Sequence, residues 1–113
     1  MTLGGFRRLA LSMPEAAEGS HMGHADFRVR GKIFATLGYP DAGLGMVKLT
    51  LEQQEAFVSA EPAVFSPVTG GWGRRGATAV RLRTAKTRTL RVALAAAWRN
   101  VAPRPLSGRI SRK

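Results

Sequence analysis

The 113-residue chain has no cysteine and a single tyrosine, and none of its acidic residues lies beyond Glu61. Without cysteine there are no disulfides, thiolate metal ligands or cysteine nucleophiles, and a reducing, cytoplasmic setting is expected. No apolar run approaches the ~20 residues that span a bilayer, so a membrane is not among the expected partners. The opening stretch, MTLGGFRRLALSMP, carries an arginine pair but no apolar h-region or small-residue cleavage site, which argues against a signal peptide. Catalytic side chains are equally scarce. No Ser-His-Asp arrangement or paired carboxylates stand out, and Gly71–Gly76 lacks the Lys-Ser/Thr ending of a phosphate-binding P-loop. Asp41 falls in a turn and Glu52 and Glu55 on a helix surface. His21 and His24, at i, i+3 on an extended segment, would lie on opposite faces with no further ligand beyond Asp26 nearby. No metal, cofactor or catalysis is expected.

What the chain has in excess is positive charge, a formal net of +11 with a pI near 11.8. The distribution is one-sided. The first 61 residues hold six cations against seven acids, a net of −1, whereas residues 62–113 hold twelve cations and no acid. Fourteen of the eighteen cations are Arg, which a coding bias would explain, but such a bias does not remove acids from one half only. A field of this kind attracts polyanions and favours nucleic-acid or acidic-surface binding.

At this length, with 44% hydrophobic residues, the chain is a single folded domain over residues 1–106, followed by a basic tail, 107–113, with no core-forming content and an expectation of disorder. The strongest local signal is Gly23–Leu37, a β-hairpin closing at Arg30-Gly31. A two-residue turn sets Val29 opposite Lys32, Phe27 opposite Phe34 and Ala25 opposite Thr36, with Arg28, Asp26, Ile33 and Ala35 sharing the other face. A short helix over Phe6–Ser12 and a strand over Gly19–Met22 precede it. The turn over 38–43 and a strand over Gly45–Leu49 follow.

Thr50 and Gln53 form a capping box that opens a helix running to about Ala60, with Phe57 buried beside Ala56 or Ala60. Val64–Val68 reads as an edge strand because of Pro67, then comes the glycine-rich loop Gly70–Gly76. Thr78–Arg83 alternates as a strand with Val80 and Leu82 inward. Leu90, Leu94, Trp98 and Val101 make the apolar stripe of a helix from about Lys86 to Val101, stopped by Pro103 and Pro105. The fold class is α+β: two layers, a mostly antiparallel sheet with helices packed on one face.

These residues reach a known family. Gly23–Ala35, Met46–Leu49, Phe65-Ser66-Pro67, Gly71-Trp72-Gly73 and Ala97-Trp98-Arg99 stand in the order and spacing of the MmcQ/YjbR family of small bacterial proteins, which the chain resembles from about Phe6 to Leu106. Departures are Arg30 where the family usually has Gly, Leu51 where it has Pro, and Ala77 where an aromatic often follows Gly76. The resemblance implies a two-layer fold similar to that of secretion chaperones and a DNA-binding role through paired wings.

Two surfaces would carry that role. If Val47, Leu49, Val80 and Leu82 face the helices, then Lys48, Arg81 and Arg83 project from the opposite sheet face, joined by Arg28, and could lie along phosphates. In the Gly70–Gly76 loop, Arg74 and Arg75 offer bidentate contacts to phosphate or guanine and Trp72 a stacking surface. The plainer readings are a solvated strand face and a Trp72 folded back as a core plug. The expected function is thus non-catalytic, low-specificity nucleic-acid binding by a monomer or weak dimer. The alternative is a protein-interaction or chaperone-like module docking a partner on an open sheet face. A third reading is a small-molecule cleft formed by His21, His24 and Lys48.

Overall fold

Met22-Gly23 and Arg30-Gly31 each take positive φ at both positions (+52° and +82°, +51° and +81°), the primed turn whose twist matches antiparallel strands. The computed structural model describes residues 1–38 and 41–104, the His21 side chain excepted. The 107–113 tail, Pro105 and the Tyr39-Pro40 part of the expected turn lie outside the described residues. The two turns join β1 (Ala16–His21), β2 (His24–Val29) and β3 (Lys32–Leu37), so a further hairpin precedes the expected one. Arg30 adopts the left-handed conformation despite its side chain. Val29 pairs with Lys32 as a two-residue turn requires, but a bulge then shifts the register. Arg28 faces Ile33, Phe27 faces Ala35 and Ala25 faces Leu37, rather than Phe34 and Thr36. The bulge brings Phe34 and Ala35 together into the core with Phe27, which strict alternation forbids. Ala35 accordingly leaves the face that holds Arg28 and Asp26.

Beyond β3 come β4 (Leu44–Lys48), α2 (Leu51–Ala60), β5 (Phe65–Pro67), α3 (Gly71–Arg74), β6 (Ala77–Arg81) and α4 (Thr87–Val101), with α1 (Leu3–Leu11) at the start. The six strands form one antiparallel sheet in the order β1-β2-β3-β4-β6-β5. Helices α1, α2 and α4 contribute to the core on one sheet face, as an α+β two-layer fold requires. Pro67 sits in an edge strand, where its missing N–H costs no ladder bond. The last strand stops at Arg81, not Arg83, because the Thr84 and Ala85 N–H groups fold back onto the Arg81 carbonyl and launch α4.

Local chemistry sets the helix positions. The Thr50–Gln53 capping box is present in both directions, at 3.1 and 2.9 Å. Phe57 is only half-buried, and Ala56 and Ala60 are exposed, because α2 lies over the sheet edge with Phe57 edge-on to Phe65 at 5.1 Å. Its buried residue is Gln54. On α4, Leu90, Ala93, Leu94, Ala97 and Trp98 are fully buried, while Val101 is half-buried. The Trp98 indole N–H donates to the Pro14 carbonyl at 3.0 Å, satisfying the one polar atom of the ring and tying α4 to the α1–β1 link. Gly45 faces the core, where Phe6 packs 6.0 Å from Phe27. A Cβ at Gly45 would lie 2.6 Å from Cε2 of Phe6. Both rings are fully enclosed and have nowhere to retreat. Gly45→Ala should therefore destabilise by about 1–3 kcal/mol through overpacking. Thermal unfolding should show a fall of roughly 4–8 °C per kcal/mol for a domain of this order.

Candidate nucleic-acid interface

Three ion pairs tie early carboxylates to early cations: Arg7 to Glu18 at 3.0 Å, Arg28 to Asp26 at 2.8 Å and Arg30 to Glu15 at 2.7 Å. None involves a cation after Pro62. The Arg28–Asp26 pair is bidentate, with a second bond at 3.0 Å, and Asp26 is fully buried. A hydrogen bond and then the charge of Asp26 raise the Arg28 guanidinium above its ordinary pKa; Glu15 acts likewise on Arg30. Gly19, across from Asp26 in the register, makes room for the pair, since a Cβ there would meet Asp26 Oδ1 at 2.9 Å and Arg28 Nε at 3.1 Å. Arg28, expected among the phosphate ligands, has its charge matched within the protein.

The sheet face expected to be open is covered at its centre. Met46, Ala77 and Ala79 lie 1%, 6% and 4% exposed and pack with Val68 as a second apolar cluster, with half-buried Leu44 against it. The expected cations divide accordingly. Lys48 pairs with Ala77 and Arg81 with Leu44, so they stand at opposite ends of the same strands. Arg81 donates to the Ala63 carbonyl at 3.0 Å, and Arg83 is exposed in the turn beyond the sheet. His24 belongs to the Leu44 end, with the Gly38 N–H bonded to the Leu44 carbonyl and Gly38 beside the His24 ring. That position separates His24 from Lys48, so the small-molecule cleft is not assembled. The backbone sets His21 directly across from His24, because the Met22-Gly23 turn reverses the chain between them. Among the described residues no three His, Asp or Glu side chains gather as metal ligands.

What does come together is Lys48, Trp72, Arg74 and Arg75. The glycine-rich loop is not a loose hairpin but a helical turn, α3, closed by Arg74 N–H to Gly70 O at 3.1 Å and Arg75 N–H to Gly71 O at 3.2 Å. Both guanidinium groups reach back over Gly71: a Cβ there would lie 3.6 Å from Nη2 of Arg75 and 3.9 Å from Nη2 of Arg74. Among the described residues, neither of them, nor Lys48, takes part in an ion pair. Trp72 is 42% exposed and, with Lys48, Arg75, Met46, Leu49 and Ala77, lines a cleft of about 210 Å³. It is therefore not a core plug.

A YjbR family model matches residues 11–100. The chain belongs to the YjbR family. Among solved structures it is similar to the Deinococcus radiodurans protein DR2400, which carries a DUF419 domain. The identity is 16% and the TM-score 0.74, over 98% of this chain and 83% of that one, so the likeness is one of fold. No curated protein matches the chain. No helix among the described residues is long and apolar enough to cross a membrane.

Within this YjbR chain, the cationic turn is held by a residue that the pattern of the sequence did not single out. Nε2 of Gln54, buried in α2, donates to the carbonyls of Gly73 and Ala77 at 3.0 and 2.9 Å, clamping both ends of the Arg74–Gly76 segment. The only signal was a glutamine on the helix face that the apolar residues should occupy. Gly73 and Gly76 permit the closeness: a Cβ would overlap the Val68 and Leu49 carbonyl oxygens, respectively. Gly73 and Ala77 O each keep another backbone bond, from Gly76 and Val68 N–H. Gln54→Leu should thus cost about 1–2 kcal/mol, the lower part of the range for stranding buried acceptors. Denaturant unfolding reads the loss, and amide exchange at Arg75 and Gly76 should quicken more than in α4.

Proposed function

We propose that this protein binds nucleic acid, DNA in the first instance, without catalysis, cofactor or strong sequence preference, in a cytoplasmic setting. The observation that carries the reading is the convergence of Arg74 and Arg75 over Gly71 on a backbone turn pinned by Gln54, with Lys48 beside them. Two guanidinium groups held that close repel one another, and a phosphate between them relieves the repulsion while accepting charge-assisted bonds. The backbone of the turn is pre-shaped, so little backbone freedom is lost on binding. The surrounding charge reinforces it: residues 62–104 carry nine cations and no acid. Glu18, Asp26 and Glu15 are engaged with Arg7, Arg28 and Arg30. Among the described residues Lys48, Arg74 and Arg75 take part in no ion pair, so their charge adds to the external field.

Arg81 and Arg83, at the far end of the strands, act in this reading as a second phosphate contact along the same backbone rather than as part of the turn. The logarithm of the binding constant for duplex DNA should fall linearly with the logarithm of salt concentration. Replacing both Arg74 and Arg75 with Ala should lower the magnitude of that slope by about 0.9, for the one phosphate contact removed. The loss should be the same for unrelated sequences. A salt-independent affinity, or an unchanged slope in the double variant, would remove the proposal.

A further inference from the structure

We propose that the cleft under Trp72 receives one unpaired nucleobase, so that the preferred ligand is a single strand rather than a duplex. The inference rests on the nucleic-acid reading above and adds the class of ligand. The cleft has an apolar floor, formed by Met46, Leu49 and Ala77, and one aromatic wall, the half-exposed indole of Trp72. Lys48 and Arg75 complete its lining with positive charge. At about 210 Å³ it falls below the ~300 Å³ at which sites for drug-sized ligands begin, so it suits one flat ring and not a whole cofactor.

A phosphate alone gains nothing from an apolar floor, and a paired base has both faces stacked against its neighbours. A base freed from the stack offers an aromatic face to Trp72, and its own 5′ and 3′ phosphates then lie within the reach of lysine and arginine side chains. Base-on-aromatic stacking beside a cationic track is how sequence-tolerant single-strand binding is built. Arg74 and Arg75 converge over Gly71 on the same turn, giving the adjoining phosphate its contact.

The full chain would be titrated at one fixed salt concentration with a 12-nucleotide oligothymidylate, a strand of equal length made abasic, and a blunt duplex. Tryptophan emission is the readout. Trp98 is fully buried and bonded to Pro14, so quenching reports Trp72. The oligothymidylate should bind at least fivefold more tightly than the duplex and quench the emission, while the abasic strand binds without quenching. Trp72→Ala should weaken the single strand roughly 5- to 140-fold, the range expected for one stacked base, and the duplex by much less. Trp72→Phe, which keeps a stacking face, should restore most of the affinity. Circular dichroism confirms that both variants are folded. Equal affinities for strand and duplex, no quenching by oligothymidylate, or equal losses for both ligands in Trp72→Ala would overturn the inference and leave phosphate binding standing. Failure of every DNA to bind would instead overturn the function proposed above, and this inference with it.

Discussion

One side-chain amide links the body of the protein to its charged turn. The Gln54 amide group is buried in α2, a position that an apolar residue would ordinarily hold, and there its two N–H groups must find acceptors. They find the carbonyls that bracket Arg74 to Gly76. Everything proposed for Trp72, Arg74 and Arg75 follows from that arrangement, because long cationic side chains on a loose glycine loop would lose much freedom on meeting a ligand. Held as a short helical turn, they project from a fixed base. The close approaches at Gly73 and Gly76 are what allow α2, β6 and this turn to meet at all.

Electrostatics gives the turn its setting. A protein with seven carboxylates and eighteen cations has many ways to distribute pairs. Here the described pairs are local to the first half of the chain: α1 with β1, β2 with itself, and the start of β1 with the β2–β3 turn. The sheet order places β6, with Arg81, away from β1, with β2, β3 and β4 between them, whereas α4 packs against α1, β3 and β4. Along the chain the early half is near neutrality and the later half strongly cationic, and the paired cations Arg7, Arg28 and Arg30 gather about β1 and β2. Pairing within the early half also explains why Arg28, though on the expected face, contributes little outward field.

Much of the architecture was legible from the residues. The Arg30-Gly31 hairpin, the capping box at Thr50, the edge position of Pro67 and the Leu90, Leu94, Trp98 stripe all obey local rules, and local rules are what a sequence displays. The misplacements share a cause in tertiary packing. The bulge after Phe27 exists because Phe34 and Ala35 both belong in the core, which no alternation pattern announces. Phe57 is half-exposed because α2 reaches only the sheet edge, and the strand after Thr78 ends early because α4 begins by folding back on Arg81. For the site, the residue types in the glycine loop were readable, but not their division into a gathered set (Lys48, Trp72, Arg74, Arg75) and a distant one (Arg81, Arg83). That division depends on strand register, and Gln54 was invisible because its partners are main-chain atoms 19 and 23 residues away.

The bond between Glu15 and Arg30 joins two residues that both sit at positive φ, +57° and +51°. Such backbone conformations cost an L-residue roughly 1–2 kcal/mol each, and glycine would escape most of it. The family resemblance places glycine at the position of Arg30. In this chain the ion pair spans from the entrance of β1 to the tip of the β2–β3 ribbon, beside the Ala16–Val29 end of the β1–β2 ladder. A glycine at either position therefore relieves its own kink while giving up the bond across the two elements, so a gain in backbone freedom from strain is set against the loss of an ion pair.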